Sequence, residues 1–545
     1  MQLDDKLYKA FLEEMQDLEN FRVTYTAAHP FVPLDRDDPD VKRLVEAMAF
    51  FAARTHIAGI RNISASRRRI FQQFFPFLLP PKSAMAILQA RPTGQFVEPT
   101  FLPKGSEIIV SPQTGNKAIF RTLLDLSILP ISLTKVETLL LPDKGFRLSL
   151  RLQAAYSRND EIGRIHFHIN HLNDYQASLR VYHTLKKYVR RASVIFNEDA
   201  NETTQGTPCE VFFGQPQSGE DEECSHPLQK EQLFFHFPQQ DLYLNVQVPQ
   251  PPRNWNQFTI LLDLDAKWPR NLRLNQEVFH LFTVPMVNLK RAMAQPLVCD
   301  GTQERYPIRY PDQGKGFELH SILGVYRIEK HALVPIRSGI IAGGSGSYEI
   351  EQAPDDKGKS RQWLTLHLPQ AFQKPQTIAV EALWLQPRFS ETLSQKLQAA
   401  PYSRKIVGLE WELVGGIVPH ADNKCQDETD DFLHLITLKN KSILSIDDLI
   451  ALLQTLGGLH QGSFNRIVDL VANVRVEEVQ KGAMAGGGGM LKLVYYLQLR
   501  EFDPGLLPLV EIFIVHVGRI LDAWISEATV EVRMENLGGR KQEEK

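Results

Sequence analysis

The sequence predicts an α+β, multidomain protein: a helical N-terminal arm, a β-rich middle of antiparallel sandwich or barrel type, and a mixed α/β C-terminal domain. Three observations carry this reading. Apolar residues recur at helical spacing through the first ~80 positions. Between residues 84 and 420 the spacing changes to two, as in half-buried strands. After Pro508 a wide helical stripe returns. The chain has 545 residues, and at about 150 residues per domain this implies three to four domains. The composition shifts divide it into 1–82, a helical arm; 83–285 and 286–420, two β-rich domains; and 421–545, the mixed domain.

The arm begins with Leu7, Phe11, Leu18 and Phe21 among acidic and basic residues. A second helix is expected after Asp38, a candidate N-cap. Pro39 suits the first helical position and Asp40 the positive end of the dipole. Val41, Leu44, Val45, Met48, Ala52 and Thr55 follow one face. A third helical segment is expected to start near Ser64 or Ser66 and to stop at Pro76, Pro80 and Pro81. In the middle, Phe146–Leu152, Ile165–Ile169, Leu242–Val248, Leu364–Leu368 and Leu409–Leu413 alternate between apolar and polar residues. Many short strands without intervening helices point to antiparallel sheets. Toward the end, Ser445-Ile-Asp-Asp448 is a capping-box variant ahead of an apolar helix that Gly457 and Gly458 stop. Strands follow at 471–479 and 491–499, then the stripe Val510, Phe513, Ile514, Val517, Ile520, Leu521 and Trp524, and a strand at 529–534.

Composition excludes several classes. Lys and Arg number 61 against 64 Asp and Glu, a net charge of −3, so neither a polybasic nucleic-acid coat nor an acidic disordered chain fits. Cys209, Cys224, Cys299 and Cys425 are too scattered for a disulfide framework, and no CxxC pair offers a zinc site. The most apolar stretch, 506–517, is interrupted by Pro508, Glu511 and His516, whereas a membrane span needs roughly 20 apolar residues. The start shows no basic and apolar leader. A cytoplasmic protein that binds no nucleic acid and does not insert in a membrane is expected.

Candidate chemistry is sparse. His166, His168 and His171 could begin a metal site, but no further ligand stands at a suitable spacing, and their alternation with Ile165, Phe167 and Ile169 reads as exposed polar positions. Asp263 and Asp265 could form a glycosidase pair, or an outward strand face with Leu262 and Leu264 turned inward. Gly343-Gly-Ser-Gly346 and Gly486–Gly489 lack the residues of a phosphate loop or nucleophile elbow and read as turns. Arg67, Arg68 and Arg69 fan around a helix, so at least one must meet an acidic neighbour or a partner. No nucleophile–base pair or cofactor fingerprint is present. No cofactor is expected and the chain is read as a non-enzyme. The alternative is a carbohydrate-processing or carbohydrate-binding enzyme on β-sandwiches.

One set of motifs points further. Asp38, Pro39, Val41, Arg43, Leu44, Glu46, Ala47 and Phe50, with Arg54 behind them, resemble the D-P-x-V-x-R-L-x-E-A-x-A-F signature of the TssF family. The block from Phe75 to Met85 resembles the family's Y-P-H-Y-L-x-P-x-P-S-M, keeping Pro76, Leu79, Pro81 and Met85 and departing at Phe77, Leu78, Ser83 and Ala84. Pro103 and Gly105, Phe120 and Arg121, Pro285 and Asn288, and Pro296 match further family positions in order. The family's I-N-S-F-T ending is replaced by Glu527-Ala-Thr529. The resemblance implies a wedge subunit of the type VI secretion baseplate. It implies two copies per TssG, contacts with TssK and TssE, wedges around a VgrG spike hub, and a cytoplasmic baseplate docked at the inner-membrane complex. Such a wedge would support sheath and tube assembly and contraction. Residues 1–75 and 505–530 are the expected subunit contacts, with Phe513, Ile520 and Trp524 and the arginine run as candidates. The alternative for both helical regions is packing inside their own domain.

Overall fold

The computed structural model describes residues 5–29, 31, 39–75, 78, 80–142, 144–216, 226–303, 305–312, 314, 316–330, 332–339, 346–354, 360–403, 406–422, 429–457, 462–480, 491–525 and 527–536. The arm is a hairpin of two helices, α1 (Asp5–Ala28) and α2 (Pro39–Phe74). Sequence reading divides α2 into two helices, but it is continuous over 36 residues. Gly59 is the sole glycine inside it and there is no proline between Pro39 and Phe74, so nothing forces a break; one glycine costs only about 1 kcal/mol. His56 Nδ1 lies 3.1 Å from Glu14 Oε1 and ties the two helices together. The arm meets the body through α2, which touches the helix Thr429–Lys439 and the strand Ser347–Pro354, and at its base, where Phe75 is buried and stacks on Trp524 at 5.3 Å.

The middle is built on three sheets. The first has six strands in the order Leu397–Pro401, Glu107–Pro112, Ala118–Thr122, Thr283–Val287, Met85–Pro92, Leu409–Val418, all antiparallel. Its two end strands touch, which makes it barrel-like. The second has five strands centred on Trp255–Leu264, and the third has four centred on Tyr243–Gln247 and Arg164–Ile169. Two helices interrupt this region, contrary to the expectation of uninterrupted strands: α3 (Tyr175–Tyr188) and α4 (Pro227–His236). Helix α3 starts at an N-cap: Asp174 Oδ2 accepts from Ala177 N at 2.7 Å. Leu179, Tyr182 and Leu185 then bury one face.

Residues 290–385 hold a separate core around Val325, Leu364, Ile378, Val380 and Trp384, between a five-stranded and a four-stranded sheet. The chain then returns: Leu397–Pro401 and Leu409–Val418 complete the first sheet. The strands of 286–420 are thus shared between two bodies, and the 285/286 division falls inside the strand Thr283–Val287.

The C-terminal region carries α5 (Thr429–Lys439), α6 (Ile446–Gly457) and α7 (Leu507–Trp524) with a three-stranded sheet. The capping box forms as expected: Ser445 N donates to Asp448 Oδ2 at 3.0 Å and Asp448 N to Ser445 Oγ at 3.3 Å. Leu491–Leu499 and Thr529–Asn536 pair in parallel, with α7 as the crossover between them. No described helix is long and apolar enough to cross a membrane.

Candidate functional site

The residues singled out for chemistry are occupied structurally. His168 is buried rather than exposed, because its strand lies between two others in the third sheet and is covered on both faces. Its Nε2 contacts Gln239 O at 3.0 Å, and burial pushes its pKa down to about 4. His166 Nδ1 sits 2.6 Å from Asn245 Oδ1. Asp263 accepts from Arg147 Nε at 2.7 Å, and Asp265 accepts from Arg190 Nε at 3.0 Å. Each carboxylate is neutralised by its own arginine, so the two are not a free acid pair, and Leu262 and Leu264 do turn inward. Arg147 Nη1 also donates to Asn201 O and Thr204 O at 3.0 and 2.7 Å. It thereby pins the 197–206 segment over the sheet. Of the two glycine runs, only Gly346 is described, and it has φ +113. Among the described residues no group of three or more His, Cys, Asp or Glu is placed to hold a metal.

The motif residues of the body converge on the first sheet. Met85 and Phe120 are fully buried, and Phe120 meets Phe389 edge-on at 5.7 Å. Gly105 takes φ +82 in a turn where Ser106 Oγ donates to Pro103 O at 2.6 Å. Asn288 is the centre of a buried lock. Its Nδ2 donates to Ile119 O at 2.8 Å and its Oδ1 accepts from Gln386 N at 3.0 Å. Gln386 Oε1 in turn accepts from Ile119 N at 2.9 Å, and its Nε2 donates to Lys117 O at 3.1 Å. The lock joins the barrel-like sheet to the end of the 290–385 body. Pro285 and Arg121 are buried beside it, and Pro296 is exposed. Asp38, Pro76 and Leu79 lie outside the described residues, as do the side chains of Arg67, Arg68 and Arg69.

The stripe of α7 is spent internally. Phe513, Ile520 and Trp524 are at most 1% exposed, packed in the chain's own core with α4 and the C-terminal sheet. Their expected place at a subunit contact is therefore corrected: their apolar surface is already covered. The opposite holds for the arm. Leu44, Met48, Phe51, Ile60 and Ile63 of α2 and Phe21 of α1 are all more than half exposed. A two-helix hairpin offers each helix one apolar neighbour over most of its length, and along its ~54 Å α2 further touches α5 and the strand Ser347–Pro354. Among the motif residues, Val41 and Glu46 face partly inward, while Arg43, Leu44, Ala47, Phe50 and Arg54 face out. The Arg54 guanidinium lies 6.0 Å from the Phe50 ring centre.

Sequence reading missed a buried charge cluster on α4 and α7. Glu231 Oε2 lies 2.5 Å from His516 Nδ1, and the other oxygen is 3.8 Å from Arg519. The His516 ring stacks on Phe234 at 3.4 Å. Glu231 and His516 lie on the buried faces of their helices, and periodicity cannot pair such residues across 285 positions. A cleft of about 350 Å³ lies between Gln89–Pro92, Ile131–Leu133 and Gln276–Phe282. It holds His280, which burial keeps down to about 4.

Comparison with known proteins gives one family and one fold. The family described as "Type VI secretion system, TssF" matches residues 3–338. A search of curated proteins finds no match. A chain of the cryo-electron-microscopy structure of a type VI secretion system TssK-TssF-TssG baseplate subcomplex superposes with a TM-score of 0.72 at 15% identity, covering 91% of this chain and 96% of that one. A chain of the baseplate complex from the type VI secretion system gives 0.59 at 15% identity, over 97% and 96%. At this identity the likeness is one of fold.

Proposed function

The chain belongs to the TssF family of type VI secretion baseplate subunits, and from that premise we propose that it is a structural wedge subunit held to its partners by the helical arm. The single observation that carries this is the apolar outer surface of α1 and α2: Phe21, Leu44, Met48, Phe51, Ile60 and Ile63 stay more than half exposed, although α2 also touches α5 and the strand Ser347–Pro354. Burying one such Phe or Ile contributes about 1.5–3 kcal/mol, and six of them would support an obligate interface of the ~2,000 Å² class. The proposed partners are a TssG-like subunit, with two copies of this chain to one of it, and a TssK-like subunit. TssE and the VgrG spike hub are proposed neighbours in the finished baseplate. Work is done by assembly and rearrangement, with no substrate turned over, and the chain acts in the cytoplasm at the inner-membrane complex.

Co-expression with a TssG-like and a TssK-like protein tests this. A stable complex that Phe51→Glu with Ile60→Glu abolishes is the expected result. A complex indifferent to that double variant would remove the arm from the interface.

A further inference from the structure

We propose that a basic rim at one end of the second sheet is a docking surface for an acidic segment of another protein in the assembly. Two stretches distant in sequence form it: 186–191, where α3 passes into the strand Val189–Phe196, and 265–273, the turn after the strand Trp255–Leu264. The backbone joins them, since Asp265 N donates to Tyr188 O at 2.9 Å. The Arg190–Asp265 pair closes the same junction at 3.0 Å. These fifteen residues carry seven Lys or Arg and one acid, Asp265, in a chain whose charges are otherwise nearly balanced.

The excess is not consumed locally. Lys186, Arg191, Lys267, Arg270 and Arg273 are exposed and have no acidic partner within 4.0 Å among the described residues. Arg191 stands in register opposite Asp263, but that carboxylate already binds Arg147 through both oxygens. Two lysines in the last turn of α3 favour the helix dipole, which accounts for Lys186 and Lys187 but not for the cations of the turn. The turn is held rigid by Trp268, which is buried and donates its N–H to Asp265 O at 3.0 Å. The charges are thus presented on a fixed frame, which lowers the cost of ordering them on binding.

The chemistry favours a short run of carboxylates over a nucleic acid or a lipid surface. Glu511, beside Lys187, and Asp265, paired with Arg190, interrupt the surroundings, and the chain as a whole is negative. An extended polyanion would meet repulsion beyond the rim, whereas a compact acidic segment would not. Little aromatic face is offered for base stacking: Trp268 is buried, and Tyr188 is half-buried with Lys187 Nζ 5.8 Å from its ring centre.

The proposal rests on the assembly reading above. The test is zero-length carboxyl-to-amine coupling in the assembled complex, with mass spectrometry of the joined peptides. Lys186 or Lys267 is expected to link to an Asp or Glu of another chain at 0.1 M salt, with yield falling at least fivefold at 0.5 M as screening shortens. Lys186→Glu/Lys267→Glu/Arg270→Glu should weaken assembly at least tenfold, while Lys374→Glu/Arg388→Glu/Lys396→Glu, with the same charge change, should not. Equal effects of the two triples, links confined to this chain, or tighter binding of the purified chain to duplex DNA or phosphatidylglycerol vesicles than to the partner complex would overturn the proposal. A parent chain that forms no complex overturns the assembly reading along with it; a complex that forms and ignores the rim triple overturns the rim alone.

Discussion

Replacing Asn288 by alanine removes a side chain that is 2% exposed and satisfies two backbone groups, Ile119 C=O at 2.8 Å and Gln386 N–H at 3.0 Å. Neither group gains access to water, since the neighbouring Val287, Leu289 and Leu385 are buried at the same seam. Leaving a buried donor or acceptor unsatisfied costs about 1–3 kcal/mol, so the loss is about 2–5 kcal/mol once the second group is included. The Gln386 side chain still holds Ile119 N and Lys117 O, which places the effect below the loss of the whole lock. Urea unfolding of the purified chain, followed by tryptophan emission, measures it. Trp384, one of six tryptophans, is buried two residues from Gln386 and contributes to that signal. A lower midpoint for Asn288→Ala is expected, and a similar loss for Asn288→Leu, which restores volume but not the two bonds. A midpoint within ~0.5 kcal/mol of the parent for both variants, the range of a neutral surface change, would refute the lock as the reason for asparagine at this position.

Three further outcomes follow from the same contacts. Trp524→Ala should cost about 3–5 kcal/mol and loosen the arm's base, because Phe75 stacks on that ring; faster proteolysis near residue 75 is the readout, and unchanged cleavage contradicts the stack as an anchor. Phe51→Glu with Ile60→Glu should leave the unfolding midpoint of the lone chain within ~0.5 kcal/mol while abolishing its complex, whereas a large loss of stability would show that these side chains belong to the chain's own core. His168, His236 and His280 are held by burial down to about 4. Their folded values lie below the ordinary 6.5, so the stability from keeping them neutral is present above pH 6.5 and is lost as pH falls toward 4. Burial raises Asp241 to about 6, and its contribution is present below 3.8 and lost as pH rises through 6. The three histidines should outweigh it, lowering the midpoint between pH 7 and 4.5. His236→Gln, whose amide can keep the bond to Ser83 O, should flatten that slope, and a slope unchanged by it would contradict the assignment.

Much of the fold was legible because local pattern and tertiary burial agree. The capping box at Ser445, the α7 stripe and the paired strands at 471–480 and 491–499 are set by spacing that any core would require. Helix α3 was missed because its N-cap and apolar face are embedded in a long strand-like region, and the period-2 signal on either side dominated. Amphipathicity could not say which helix keeps its apolar face. The stripe of α7 is covered by α4 and its own sheet, while α2 buries Ala49 and Ala53 but leaves Leu44, Met48, Phe51, Ile60 and Ile63 exposed; in sequence both are helices with an apolar side. The strand alternation around His168 gave the wrong exposure for a related reason: a strand central to its sheet buries both faces. The Asn288 lock was flagged as a motif position, but its partners, Ile119 and Gln386, stand 169 and 98 residues away. The basic rim was invisible because its two halves are joined only by the fold.

The most direct test of the central claim is the mass of the complex formed when this chain is co-expressed with a TssG-like protein. The wedge account predicts one species with the mass of two copies of this chain and one of the partner. A well-behaved single chain of 62.1 kDa that stays apart from that partner would contradict it.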